Sequence, residues 1–518
     1  MEFPNFDIIA LLASLLLLSF AAAKRFTTTT KSSILTNLPA GPATLPLLGN
    51  VHNLIFSSSK LHRALNRLAL KHGPLFPLKL GQITILVVSS PELAKEILKD
   101  HDITFAQRAP LLFPALIFYD CTDVLFAPYG DYWRQVRKIC QMELLSPNRV
   151  KSFASIRSQE VSNLIESVRS SSSSPVNLTR LIFQMSCGVT SRSAFGRKYK
   201  DHETLMSLAM DIMKLTSRLG LADLFPSHGE MFKAMTRMFS PKLNGVTRVA
   251  DRVLEDVLSD HRKKSSSGLL DDGNRVREDL VDVLLKLQKS DDLELPLSDN
   301  NIKAVLLDML VAGSMTSSAT VGWIMSEIVK NPSTMKRAQD EVRRIFDTKG
   351  QDVDEETAIQ DLHFLKCCIK EAIRLHPPVA LIVRESRTSC NISGYDIPSN
   401  TIVSINAWTI CRDPRYWSDA ERFVPERFLC GNNTVNYVEP DHFEFTPFGA
   451  GRRRCPGVSF AMANIELPVA KLLYHFDWEL PGGKRNQELD MAENFGVTVR
   501  RKNDLVLVPI PHHPTFAK

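Results

Sequence analysis

From Leu61 onward the chain repeats apolar residues at three- and four-residue spacing over long segments, 132–145, 161–168, 279–287 and 302–329. That spacing puts the apolar side chains on one face of a helix, so most of the chain is bound to fold as packed helices. Strand-like pieces are few, at 83–88, 402–405 and 505–509. Two serine-rich stretches, 170–174 and 265–268, are too short to separate domains and read as surface loops. With 44% apolar residues in a chain of 518, there is ample material for one extended core. The expected fold is mainly α with small β-sheets, in a single large domain over 51–518.

A formal net charge of +6 is mild for this length and gives no case for a nucleic-acid partner. Nine cysteines are scattered without a CxxC pair or a Cys/His cluster, which excludes a zinc site and a disulfide framework as first readings. Most read as small buried hydrophobes in a reducing compartment. One can still do chemistry alone.

The chain opens with a charge-free run, Ile8 to Ala23, of 16 residues. It is slightly shorter than the roughly 20 residues that span a bilayer as a helix. Ala21-Ala22-Ala23 resembles a signal-peptidase site, but the charges oppose a cleaved leader. Glu2 and Asp7 precede the run, and Lys24, Arg25 and Lys31 follow it. The positive-inside tendency then leaves everything after the run in the cytosol. Residues 1–25 read as a retained membrane anchor, and the triplets at Asn177, Asn391 and Asn432 would go unglycosylated. Residues 26–50 read as a linker with a proline-bearing hinge, because LPAGPATLPLLGN at 38–50 cannot continue a helix. A surface loop is the equal alternative for that stretch.

Residues Phe445 to Gly457, FTPFGAGRRRCPG, set three arginines directly before a lone cysteine. A lone cysteine in a loop is most often structural or idle. A thiolate held in a tight glycine-bearing loop can instead approach a flat macrocycle, ligate its iron and push it toward O–O bond cleavage. Arginines nearby would pair with the macrocycle's carboxylates. The stretch resembles the signature of the cytochrome P450 family, F-x-x-G-x-R-x-C-x-G, with Phe448, Gly451, Arg453, Cys455 and Gly457 in place.

The resemblance implies that Cys455 is the axial ligand of haem b and that Arg453 binds a propionate. Arg452 and Arg454 fall on variable positions. In KEAIRLHPP, Glu371 and Arg374 share one helix face, and Arg427 of the downstream PERF stretch would join them in a structural triad. Trp133 and Arg137 match the family's W-x-x-x-R and, with Arg384, become propionate candidates. In AGSMTSSAT, 312–320, Gly313 would let dioxygen and substrate approach the backbone. Thr316 would hydrogen-bond the oxygen, with Ser317 beside it. The family's acid is replaced by Met315, whose thioether cannot relay a proton. Water with Thr316, Ser317 and Ser314 then carries protons, or proton delivery is impaired.

The implied activity is a monooxygenase using O2 and NADPH-derived electrons. No G-x-G-x-x-G fingerprint is present, so a separate NADPH-cytochrome P450 reductase is the expected partner, met by basic residues such as Arg134, Lys138, Arg452 and Arg454. The expected localisation is the endoplasmic reticulum membrane, single-pass, with a cytosolic catalytic domain. RESRTSCNISGYDIP and INAWTICRDPRYW are similar to the plant microsomal branch, nearest to oxidases of sesquiterpenoids and diterpenoids. Substrate-facing stretches would be 111–118, 306–312, 379–383 and 494–497. They include Phe113, Leu116, Val311, Ala312, Val379, Leu381, Ile382 and Phe495, which suit core packing equally well. Two other functions stand beside this one: a reductase-independent haem-thiolate isomerase or lyase, and a non-catalytic membrane haem-binding protein.

Overall fold

The computed structural model describes residues 37–55, 60–171, 173–266, 278–290, 293–349, 355–429 and 442–512. The anchor reading over 1–25, the connector up to residue 36, Cys430 and Asn432 lie outside the described residues.

The helices that bear on the site are, among the described residues, α1 Leu61–His72, α2 Asp131–Cys140, α3 Ala154–Arg169, α4 Leu178–Phe195, α5 His202–Thr216, α6 Pro241–Ser266, α7 Asp299–Lys330, α8 Pro332–Lys349, α9 His363–Leu375 and α10 Val458–His475. Helix α7 is the axis. Ser298 starts it, its hydroxyl accepting from Asn301 N at 3.2 Å while Asn301 Oδ1 takes Ser298 N at 2.9 Å. Its 32 residues make it about 48 Å long. Among the described residues it is the one helix long and apolar enough to cross a membrane, but its apolar stretch is 78% buried. A helix apolar on all sides needs cover on all sides. Helices α4, α5, α6, α9 and α10 supply it.

Small residues let α4 approach α7 closely. Ser186 Oγ donates to Ser314 O at 3.0 Å, and a Cβ added at Gly313 would stand 3.0 Å from Thr190 Cγ2. On the far side of α4, a Cβ at Gly188 would meet Glu160 Oε2 of α3 at 2.7 Å.

One four-stranded sheet flanks the helices: β1 Leu75–Leu80, β2 Ile83–Val88, β3 Leu381–Glu385 and β4 Ile402–Asn406, in the order β1-β2-β4-β3. β1 and β2 form a tight antiparallel hairpin closing at Leu80 opposite Ile83. β4 runs parallel to β2 and antiparallel to β3. Three smaller sheets of two or three strands lie elsewhere among the described residues.

The expected strands are found at 83–88, 402–406 and 506–511. Ser265 and Ser266, read as loop, are the last turn of α6. The proline-bearing stretch is packed on the domain over its described part. Asn50 Nδ2 donates to Ala43 O at 3.0 Å and its Oδ1 accepts Lys79 N at 2.9 Å, while a Cβ at Gly41 would meet Pro77 O at 2.6 Å. Residues 41–50 are therefore stitched to the outer edge of β1.

Candidate active site

The cysteine loop runs into α10. Gly449 and Gly451 hold left-handed backbone at φ +69° and +70°, a conformation costly for any residue with a Cβ. Space makes the same demand at Gly451, where a Cβ would fall 2.3 Å from Asp102 Oδ1 and from Leu98 O. Cys455 N donates to Phe448 O at 2.9 Å, and Arg454 N to Gly451 O at 3.0 Å. The loop is thus closed on itself, with Cys455 half-buried. Burial pushes the Cys455 thiol up, opposed by the Gly457 N–H and by the charges of Arg137 and Arg454.

Two π-type turns touch the loop. The turn Glu96–Asp100 presents Leu98 O beneath Gly451, and Gln141–Leu145, which extends α2, brings Leu145 Cδ2 to 3.7 Å from a Cβ at Gly457. Both turns shape a site from outside the motif. The sequence spacing covers Gln141–Leu145 as helix without marking its π-type turn, and it does not reach Glu96–Asp100.

Beside the loop the fold concentrates positive charge. Arg453 Nε donates to Ala106 O at 2.7 Å and its Nη2 to Ala127 O at 2.6 Å, while its Nη1 is buried without an acceptor among the described residues. Arg384 Nη2 reaches Arg453 O at 3.4 Å and Arg137 Nη2 reaches Arg454 O at 2.5 Å. Arg108, a residue the sequence reading passed over, bridges Leu125 O, at 3.0 Å, and Val383 O. Burial, then the neighbouring guanidiniums, hold Arg384 well below the usual arginine range and bring Arg453 down to about 9. Burial, with a smaller push from the Arg137 charge, brings Arg108 down to about 10, against the pull of Asp123 and Asp308. Trp133 lies among these cations, its ring 4.2 Å from the Arg453 guanidinium and 5.2 Å from that of Arg137. Its Nε1 donates to Val124 O at 3.0 Å, so the indole serves as a cation platform with its N–H already committed.

Four buried or half-buried guanidiniums with an unfilled donor call for anionic acceptors. A macrocycle bearing two carboxylates and an iron that takes a thiolate fits that donor set.

Away from the loop, Glu371 and Arg374 of α9 are fully buried and form two bonds, Oε2 to Nε at 2.7 Å and Oε1 to Nη2 at 2.9 Å. Arg427 Nε joins Glu371 Oε1 at 3.0 Å, as does Val424 N at 2.9 Å. Arg374 Nη1 binds Cys411 O at 2.7 Å and Ala420 O at 2.8 Å. The structure brings all three members of the sequence-read triad together and uses them to clamp the 411–424 segment.

A family model described as Cytochrome P450 matches residues 39–508. The chain belongs to the cytochrome P450 family. The chain is 48% identical to Cytochrome P450 71D8 of Glycine max, over 91% of this chain and 92% of that one. It is 46% identical to premnaspirodiene oxygenase of Hyoscyamus muticus, over 92% and 93%, and 44% identical to tabersonine 6,7-epoxidase isoform 1 of Catharanthus roseus, over 92% of each. A solved zebrafish cytochrome P450 with progesterone shares the fold at TM-score 0.72 and 23% identity, covering 88% of this chain and all of that one. The P450 is accordingly a monooxygenase, and its family implies a haem iron held by a cysteine thiolate.

On α7 of the P450, Ala312, Gly313 and Thr316 are half-open on one face, whereas Met315 and Ser317 are buried. Thr316 Oγ1 donates to Ala312 O at 2.7 Å and Ser314 Oγ to Leu310 O at 2.6 Å. Ser317 Oγ is buried without a partner among the described residues. The missing Cβ of Gly313 faces Thr190 and Phe460, so close helix packing favours glycine there.

The substrate candidates divide. Phe113, Ala312 and Val379 are half-buried. Leu116 lines an open groove of about 480 Å³ shared with Tyr119 and the charged residues Arg248 and Asp251. Leu381 and Ile382, alternating along β3, pack into two separate apolar clusters of the sheet region. Val311 is buried in the main core, and Phe495 packs on Ala380, Trp408 and Val499, with the His62 ring at 5.4 Å.

Proposed function

We propose that this P450 oxidises a hydrophobic plant specialised metabolite, a sesquiterpenoid or diterpenoid, with O2 and NADPH electrons passed on by a separate reductase. One observation carries the reading. Cys455 stands half-buried in a loop pinned by two left-handed glycines, beside four guanidiniums of which Arg453 keeps an unfilled buried donor. In this reading Cys455 holds the iron, and Arg108, Arg137, Arg384 and Arg453 hold the propionates. When bound, a thiolate-ligated haem supplies reductive oxygen activation and insertion of one oxygen atom into a C–H bond. The premnaspirodiene oxygenase among the relatives supports a terpenoid substrate. So does the apolar character of Phe113, Ala312 and Val379, which offers a polar or sugar-bearing molecule nothing to pair with.

An open cleft of about 410 Å³ beside the cysteine loop, lined by Tyr129, Arg134, Arg137, Lys138 and Arg452 among others, is the proposed reductase face. Arg134 there pairs with Asp131, and Arg452 with Asp102 at 3.3 Å, so their charge is already partly shared. The anchor at 1–25 would hold the domain on the cytosolic face of the endoplasmic reticulum.

Microsomes containing this chain are expected to convert members of a sesquiterpene and diterpene panel only when NADPH and the reductase are both present. Turnover without the reductase would favour the isomerase or lyase reading. Folded, haem-loaded protein that converts nothing under any condition would favour a binding protein.

Met315 is the observation behind that second reading. It is 4% exposed and packed in the main core, off the half-open face that carries Thr316. A carboxylate placed there would be desolvated at a cost above the roughly 1–3 kcal/mol of a buried neutral polar group. Met315→Glu is therefore expected to lower stability while leaving the product spectrum and hydrogen peroxide leakage unchanged. A severalfold fall in peroxide leakage in that variant would show that proton delivery is impaired in the natural chain.

A further inference from the structure

The strap from Tyr119 to Tyr129 joins the short helix Leu112–Ile117 to α2, and it is held in an expensive conformation. Tyr119, Asp120 and Cys121 take φ +49°, +58° and +57° in succession, each an unfavourable left-handed residue with a Cβ. The strap's own carbonyls carry much of the cation cluster: Val124 O takes Trp133 Nε1, Leu125 O takes Arg108 Nε and Ala127 O takes Arg453 Nη2. What fixes the strap therefore fixes those three side chains.

Two buried carboxylates grip it. Asp308 of α7 is 3% exposed, and its Oδ2 accepts Val124 N at 3.2 Å and Leu125 N at 3.0 Å. Asp123 is fully buried. Its Oδ1 accepts Phe126 N at 2.7 Å, while its Oδ2 has no partner among the described residues. An ionised, unpaired carboxylate oxygen in such a place is strongly disfavoured, and a proton on it removes the charge.

We propose that Asp123 and Asp308 are positioning residues that share one proton at neutral pH, Asp123 Oδ2 carrying it and Asp308 remaining ionised. In that form they lock the strap that sets Arg108, Trp133 and Arg453. Asp308 is the anion because two N–H groups converge on one of its oxygens.

The surroundings agree. Arg108 faces both carboxyls. Arg453 from the cysteine loop and Tyr132 from α2 face Asp123, as does Cys121 of the strap. Cys140 of α2 and Cys455 face Asp308. Burial raises both acids, Asp123 to about 7, and a charge on either carboxyl disfavours one on the other. A carboxyl raised on folding stabilises the docked strap fully below its ordinary range near 4. That contribution declines as pH rises and is lost through about 7.

The test uses the full-length, haem-loaded protein. Infrared difference spectra near pH 6 should show the carbonyl stretch of a buried protonated carboxyl, shifted in D2O and gone near pH 9. Asp123→Asn, which mimics the protonated acid, should remove that band. Haem transfer to apomyoglobin should accelerate about tenfold from pH 6 to pH 9 in the natural chain, the equivalent of one displaced pKa unit, and should be flat in Asp123→Asn. Absence of the band at pH 6, its survival in Asp123→Asn, or a pH-dependent haem release in that variant would each overturn the proposal. If Asp123→Asn fails to accumulate, the spectrum of the natural protein decides alone. The haem-release arm rests on the cofactor reading above, and the infrared arm does not. Protein without a thiolate-haem spectrum that still shows the band would separate the two failures.

Discussion

Replacing Glu371 with alanine is expected to cost about 3–5 kcal/mol, the usual consequence of removing one member of a buried ion pair. Against a net stability of roughly 5–15 kcal/mol for a folded domain, the variant should accumulate at a much lower level and carry less haem. The size follows from what the carboxylate does. Glu371 and Arg374 have no solvent exposure, and Glu371 also receives Arg427 Nε and Val424 N. Its loss leaves the Arg374 guanidinium buried against the Trp417 ring and the carbonyls of Cys411, Ala420 and Arg422, with its carboxylate gone. It also frees the 420–427 segment from α9. The measurement is denaturant unfolding of purified Glu371→Ala beside the natural chain, with haem content per mole of protein. A loss below about 1 kcal/mol, the level of an exposed pair, would mean that the triad is decoration.

Cys455→Ser is expected to abolish turnover while leaving the apoprotein as stable as the natural chain. Cys455 lies outside the apolar clusters, and its loop is held by backbone bonds from Cys455 N and Arg454 N and by the backbone demands of Gly449 and Gly451. A serine keeps all of these. What it removes is the soft, electron-rich donor on which the proposed oxygen chemistry depends. Turnover retained in Cys455→Ser would remove the cysteine from the mechanism. A large fall in apoprotein stability would make it a structural residue.

Much of the architecture was legible because helices announce themselves locally. The spacing over 302–329 lies inside α7, and 132–145 is α2 with its π-type extension. The hairpin strand β1, LFPLKL, was missed because Pro77 sits in it, and a strand carrying proline is recognised only once its place in the sheet is known. β3 was missed for a different reason. LIVRE begins two residues after KEAIRLHPP and reads as a continuation of one motif.

Within the site, residues fixed by one short motif were readable. Phe448, Gly451, Arg453, Cys455 and Gly457 lie in ten consecutive positions, and the triad pair Glu371 and Arg374 sits on one turn of α9. Groups assembled from distant parts of the chain were not readable. Arg108 is a lone arginine until β3 and the strap arrive on either side of it. Asp308 and the Val124 amide it holds are 184 residues apart, and no local pattern links them. Gly313 shows the limit from the other direction. The sequence marked it as a place where dioxygen and substrate approach the backbone, whereas the neighbours its missing Cβ faces are Thr190 of α4 and Phe460 of α10.

The most direct test of the whole account is the absorption spectrum of the reduced, haem-loaded protein under carbon monoxide. Thiolate ligation through Cys455 predicts the strongly red-shifted Soret band, lost in Cys455→Ser. A folded, haem-loaded natural chain that shows only the unshifted band, or a Cys455→Ser variant that keeps the shifted one, would contradict it.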